Sequence, residues 1–491
     1  MTAKSFMFQG TGSNVGKSIL VAGLCRAAKN RGIHVAPFKP QNMSNNAAVC
    51  PGGGEIGRAQ ALQARACGLT PQVDFNPVLL KPQSDKQSQV VVHGEVIGTQ
   101  DARSFFGSER KNLLPDVLSS FQQLTESYEL LLIEGAGSPA ETNLREGDIA
   151  NMGFAVAANV PVCLIADIDR GGAIASLVGT QAVLDKADQQ RIKSFMINKF
   201  RGDPRLFDQG LVDIQRVTGW SQYGIVPWLP ETRMLPEEDA VPLEEASAAS
   251  KNNHIKVAAP MLSRIANFDD LDPLRLEPGV DVNFIPPGSP IPLDADAVIL
   301  LGTKSALGDM QFIKAQGWDI DIKALARQGR TILGVCGGLQ LLGHMLHDPN
   351  GADGNPGTET GLGLLDIQTS MQASKTLRQT NGIHLESGTA VAGYEIHVGK
   401  TEGADATRPF ATTEFGPDGA TNTSGTISGT YIHGLFTSDA FRTAWLSKLR
   451  SDHSASFNYE QTVEDALDQL AASLETHLNI DQLLADAEEK Y

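Results

Sequence analysis

The segment Gly10-Thr11-Gly12-Ser13-Asn14-Val15-Gly16-Lys17-Ser18 carries the residues that phosphate chemistry needs. Glycines let backbone N–H groups crowd around phosphate oxygens, and a helix opening at Lys17 adds the positive end of its dipole. Gly12, Asn14, Val15 and Gly16 form the candidate cradle for a nucleotide; Lys17 can reach its outer phosphates and Ser18 can hold Mg²⁺. A second stretch, Gly334-Val335-Cys336-Gly337-Gly338, sets a thiol among small residues between an apolar strand and an apolar helix, the arrangement of a strained nucleophile elbow. The helix N-terminus there can lower the thiol pKa below its free value of about 8.5. Backbone N–H groups at Gly302 and Gly337 can form an oxyanion hole. Such a thiol needs a base. His344 and His347 read as following Cys336 on its own helix, where they cannot turn back to it, and His397 reads as structural or substrate-facing. His433, at a strand end in Gly429-Thr430-Tyr431-Ile432-His433-Gly434, is the candidate base.

The elements that must position these groups are legible as alternating strands and helices. Phe6–Phe8 is an apolar strand leading into the loop, and Ile19–Ala28 the helix leaving it. The loop is one residue longer than the common G-x-x-x-x-G-K-[ST] spacing. Ile33–Phe38 reads as a strand that ends in a polar loop, Lys39–Asn46, at the sheet end where open α/β folds bind ligands. Beside a phosphate loop, Lys39 is a candidate for neutralising a transferring phosphoryl group. Gln41, Asn42, Ser44 and Asn45 are candidates for holding substrate. Leu130–Ile133 before Glu134 is the pattern of a buried parallel strand ending at a Mg²⁺ site, with Glu134 as the ligand. Asp148 can bind metal or substrate, or cap the helix after it. Asn198 follows another buried strand, where P-loop proteins often read the nucleotide base.

Strand–helix alternation through about residue 230 predicts a doubly wound, mostly parallel sheet. Residues 231–253 turn acidic, with Pro, Ser and Ala, and a new strand opens at Ile255. The expected division is an ATP-dependent synthetase domain over 1–235, a linker over 236–253 and a second α/β domain over 254–446. The helical tail, 447–491, is expected to pack on the surface. A chain of 491 residues is long for one core. Its net charge of −17 argues against a nucleic-acid backbone as partner and suits small-molecule substrates. Five cysteines without a CxxC pair or metal spacing fit a reducing cytoplasm. No signal peptide, membrane-length apolar run or repeat is expected.

The longer phosphate loop resembles that of the dethiobiotin-synthetase branch of P-loop proteins. Across nearly the whole chain, GTGSNVGKS, FKPQNMSNN, EGAGSPAE, DIDRGG, INKFRGD, YEIHVG and GTYIHGLF resemble the cobyric acid synthases of cobalamin biosynthesis. That resemblance implies a dethiobiotin-synthetase-like N-terminal domain and a class I glutamine amidotransferase domain. It implies four glutamine- and ATP·Mg²⁺-dependent amidations, at carboxylates b, d, e and g of adenosylcobyrinic acid a,c-diamide, through acyl phosphates. By motif position Cys336 would be the nucleophile, His433 its base, and Lys39 and Asp148 would serve the activated carboxylate. Triad glutaminases usually carry Glu two residues after the His; here that position is Leu435, so either a Cys–His pair suffices or an acid elsewhere orients His433. The sister cobyrinate a,c-diamide synthases and a non-ligase P-loop ATPase with an amidotransferase-like module stand as alternatives.

Overall fold

The computed structural model describes residues 3–83, 87–101, 105, 109–236, 254–354, 356–453 and 457–487. The first sheet runs Ser221–Pro227, Ile192–Phe200, Val162–Asp167, Lys4–Gly10, Leu130–Glu134, Val35–Phe38 in spatial order. Every pairing is parallel. Strands covered on both faces need unbroken apolar runs, and Leu130–Ile133 and Val162–Ala166 supply them. The register sets Phe8 beside Glu134, Gly10 beside Ile165 and Asp167 beside Asn198. The phosphate loop, Glu134 and Asn198 therefore leave the sheet at its carboxyl edge. Helices α1 (Lys17–Asn30) and α2 (Arg58–Cys67) share one apolar cluster over that sheet.

The stretch read as a polar loop departs from expectation. Gln41–Met43 is a strand paired in parallel with Val78–Pro82 in a small satellite sheet, and Gln41 and Asn42 are buried. The amides make this possible by bonding inward: Asn42 Nδ2 donates to Gln60 Oε1 at 3.0 Å.

In the second domain a sheet runs Val280–Ile285, Ile255–Pro260, Ala297–Leu300, Thr331–Val335, Ile427–Thr430, Ala420–Thr421, parallel except for its last pair. A separate sheet is built on the long hairpin of Gln368–His384 and Ala390–Glu402, whose second arm pairs Tyr394 with His433. After Cys336, helix α3 (Gly337–Leu342) stops one residue before Gly343, which is extended. His344 and His347 are thus not on that helix; His347 lies in the strand Met345–Asp348.

The tail corrects a second expectation. Helix α4 (Tyr459–His477) returns to the first domain and completes its core. Val463, Leu467, Leu470 and Leu474 form an apolar stripe at helical spacing and are fully buried together with Leu20 and Leu24 of α1. The approach is so close that a Cβ on Gly23 would lie 2.6 Å from Leu474 Cδ1. Arg26 pairs with Glu464, and Arg65 Nε stands 2.7 Å from the same carboxylate. Of the proposed linker, 237–253 lie outside the described residues.

The domains meet through a mixed apolar cluster of Ala47, Val49, Leu79 and Val91 with Tyr394 and Ile396. Polar ties border it: Arg58 pairs with Asp269, Asn267 N donates to Asn46 Oδ1 at 2.6 Å, and Gln379 Nε2 donates to the Val49 carbonyl at 2.7 Å. Among the described residues no helix is long and apolar enough to cross a membrane.

Candidate active site

The phosphate loop is held in a left-handed turn at two points, Asn14 (φ 59°) and Gly16 (φ 93°). Gly16 is required twice over, since a Cβ there would also lie 2.4 Å from Asn198 Nδ2. Asn198 donates to the Val15 carbonyl at 2.8 Å, and Lys199 reaches the Asn14 carbonyl at 2.5 Å and Asp167 at 2.9 Å. Asn198, expected to contact a nucleotide base, thus supports the loop from behind. Lys17 Nζ curls over the loop to the carbonyls of Gly12 (3.3 Å) and Gly137 (3.1 Å).

Glu134 is the hub of this centre. Its Oε1 accepts from Ser18 Oγ at 2.7 Å and from Lys39 Nζ at 2.8 Å, and its Oε2 from Gln63 Nε2 at 2.6 Å. The Ser18 hydroxyl and the Glu134 carboxylate offer oxygen ligands, the kind Mg²⁺ selects, on a carboxylate that Lys39 and Gln63 also share; that ion keeps several waters and needs few protein ligands. Asp148 does not join them. Its Oδ1 accepts from the N–H groups of Ala150 (2.8 Å) and Asn151 (3.1 Å), and its Oδ2 from Gly153 (2.9 Å), at the start of the helix Met152–Ala157. Both oxygens accept backbone N–H bonds at that helix start, the capping alternative that the sequence left open beside a substrate or metal role.

Cys336 has φ 53° and ψ −107°, a conformation non-glycine residues rarely adopt, at the junction of Thr331–Val335 and α3. The glycines around it are steric necessities: a Cβ on Gly338 would fall 1.9 Å from the Leu300 carbonyl, and one on Gly334 2.5 Å from Gly338. Gly302 and Gly337 both line the cavity into which the thiol opens. His433 faces Cys336 and interacts with it electrostatically, while the thiol Sγ itself donates to the Ile396 carbonyl at 3.6 Å; the imidazole stacks on Tyr394 at 5.2 Å between ring centroids. Its Nδ1 stands 2.7 Å from Asp270 Oδ2, while Asp270 Oδ1 accepts the Gly434 N–H at 2.7 Å. Burial alone would pull the imidazolium down, but Asp270 and the Cys336 sulfur outweigh it, and His433 is raised to about 10. Cys336, His433 and Asp270 have the relay geometry of a hydrolytic triad.

Asp270 was not anticipated. It lies in the short 3₁₀ turn Phe268–Leu271, between apolar residues that bury it. The one sequence signal was the Asp269-Asp270 pair enclosed by Phe268 and Leu271, acids where a turn faces a core. Asp269 takes the ion pair with Arg58 across the domain boundary. The cavity at Cys336 crosses that boundary too: Asn45 of the first domain is among its walls. Asn45 Oδ1 and Gln41 Oε1 are buried without a hydrogen-bond partner.

Comparison with known proteins agrees with this layout. Residues 6–243 match the CobQ/CobB/MinD/ParA nucleotide binding domain, and 256–441 the CobB/CobQ-like glutamine amidotransferase domain. The chain is 59% identical over 485 residues to a cobyric acid synthase from Hyphomonas neptunium, covering 99% of this chain and 98% of that one. It is 58% identical over 481 residues to one from Paracoccus denitrificans, covering 98% and 99%. A nucleotide-binding sheet and a glutamine amidotransferase elbow, joined in one chain and matched end to end at this identity, place it: the chain belongs to the cobyric acid synthase family.

Proposed function

We propose that the protein is a glutamine-hydrolysing, ATP-dependent amidoligase that amidates carboxylates b, d, e and g of adenosylcobyrinic acid a,c-diamide to give adenosylcobyric acid. The observation that carries this reading is the relay Cys336–His433–Asp270, built into the same chain as a phosphate loop whose Ser18 and Lys39 share Glu134. At the second domain Cys336 Sγ attacks the glutamine carboxamide carbon. His433 gives its proton to the departing ammonia, and water then hydrolyses the thioester to glutamate with His433 as base. Gly302 and Gly337 are the proposed oxyanion contacts.

At the first domain a substrate carboxylate oxygen attacks the γ-phosphorus of ATP and ADP leaves. Ammonia then attacks the acyl carbon and phosphate leaves. Lys17, with the loop Gly12–Gly16, would hold the phosphates; Ser18 and Glu134 would hold Mg²⁺, which supplies charge neutralisation. Lys39, paired with Glu134 until that carboxylate takes the metal, would then face the transferring group. Gln41 and Asn45, whose buried amide oxygens lack partners, and Asn42 and Ser44 beside them are the proposed substrate contacts.

Mass spectrometry of adenosylcobyrinic acid a,c-diamide after incubation with enzyme, Mg-ATP and glutamine tests the reading. Stepwise conversion of four carboxylates to amides is expected; a product with none converted would overturn the assignment. Cys336→Ala is expected to abolish glutamine-dependent amidation and keep the ammonia-dependent reaction, whereas Lys17→Ala abolishes both.

A further inference from the structure

The cavity at Cys336 gathers three lysine amines from two domains: Lys81 from the first, Lys304 and Lys375 from the second. Glu55, fully buried in the first domain, partners two of them. Its Oε2 is 2.6 Å from Lys81 Nζ, and its Oε1 accepts from Lys375. Lys304 has no ion pair among the described residues and acts on Glu55 and Asp353 only at longer range. Asp353, the carboxyl on the cavity wall, already accepts the Ala306 N–H at 2.7 Å, and burial raises it to about 6. Burial pushes Lys81 well below its ordinary value and lowers Lys375 as well, against the pull of Glu55, so Lys304 is the amine of the three that stands outside any ion pair among the described residues, and together they face one ionised carboxylate and one weakened one. Excess buried charge of one sign is costly unless a ligand of the opposite sign completes it.

The position of this excess is informative. Lys375 is near enough to Cys336 to interact with it electrostatically. A glutamine whose carboxamide reaches the sulfur leaves its α-carbon a few bonds farther into the same cavity. We propose that the α-carboxylate of glutamine is bound by Lys304 and Lys81, so that the synthetase domain supplies part of the glutaminase specificity. Glu55 and Lys375 hold Lys81 in place, and Lys304 meets the carboxylate from the strand end that carries Gly302. The consequence is a glutaminase that recognises free glutamine as an amino acid and is complete only while its own synthetase domain is docked. The proposal rests on Cys336 being the glutaminase nucleophile.

The test compares glutamine with 4-aminobutanamide, the same amide lacking the α-carboxylate, as substrate and as competitor of the full chain. The unsubstituted protein is expected to favour glutamine strongly. In Lys304→Met and in Lys81→Met the ratio of kcat/KM for glutamine to that for the analogue should fall about 10- to 100-fold, mainly through KM, the scale of one charge-assisted hydrogen bond. Lys304→Arg should recover part of it. Lys304 is only half-buried, so its replacement leaves the core intact and keeps the test usable even if Lys81→Met folds poorly. A ratio unmoved in Lys304→Met, with both amides hydrolysed equally well or equally badly, would overturn the lysine assignment. Absence of glutamine hydrolysis by the unsubstituted chain would instead overturn the reading of Cys336.

Discussion

In the proposed glutaminase reaction Asp270 decides whether His433 works as an acid. The carboxylate fixes the ring through Nδ1 and leaves the other nitrogen for Cys336. Asp270→Asn is expected to lower glutamine hydrolysis by about 100-fold or more while ammonia-dependent amidation continues; paired glutaminase and ammonia assays check it. The raised pKa also sets a pH window. Because His433 in the folded chain titrates above its ordinary 6.5, its ion pair contributes fully below about 6.5, and that contribution is lost as pH rises through about 10. The alkaline limb of glutaminase kcat/KM should accordingly lie near pH 10 and move to lower pH in Asp270→Asn; an unmoved limb would contradict the relay. Cys336 and His433 were legible because each sits in a short, glycine-marked pattern. Asp270 was not, because it is 163 residues from its partner and only the fold brings them together. Asp148 stayed ambiguous for a different reason: an acid before a helix carries the same local signature whether it binds substrate or caps.

Among the elements, strands were the most legible, since unbroken apolar runs ending in a polar residue identify both parallel sheets and their carboxyl edges. The tail helix was misjudged. Its acidic composition, including Glu464 and Asp468, suggested a helix laid on the surface, but those acids face Arg26 and Arg65 while the leucine stripe lies buried against α1. A helix's charged face does not reveal what its apolar face meets. Leu470→Ala, a truncation at a fully buried position between α4 and α1, is expected to cost about 2–5 kcal/mol, read from the shift of the urea midpoint. Because α1 begins at Lys17, the tail braces the helix on which the phosphate site is mounted.

For the whole molecule, the junction between domains is a shared wall. The cavity at Cys336 takes residues from both, and Asn45, at the end of the segment that begins with Lys39, is one of them. Ammonia formed at Cys336 in the proposed reaction would thus be released facing the synthetase domain. With amide-¹⁵N glutamine and unlabelled ammonium both present, the new amides are expected to carry ¹⁵N well beyond the isotopic ratio of the bulk; mass spectrometry of the product reads this, and a product matching the bulk ratio would argue for free diffusion. Helix α2 starts at the same junction, with Arg58 paired to Asp269, next to the acid that holds His433, and runs to Gln63, bonded to Glu134. Five residues at about 1.5 Å each make it a ruler of about 7.5 Å. The spacing between the nitrogen-producing and phosphate-handling halves is therefore a matter of helical register. A single residue inserted between Arg58 and Gln63 would turn one end by about 100°, so that Arg58 on Asp269 and Gln63 on Glu134 could no longer both be kept.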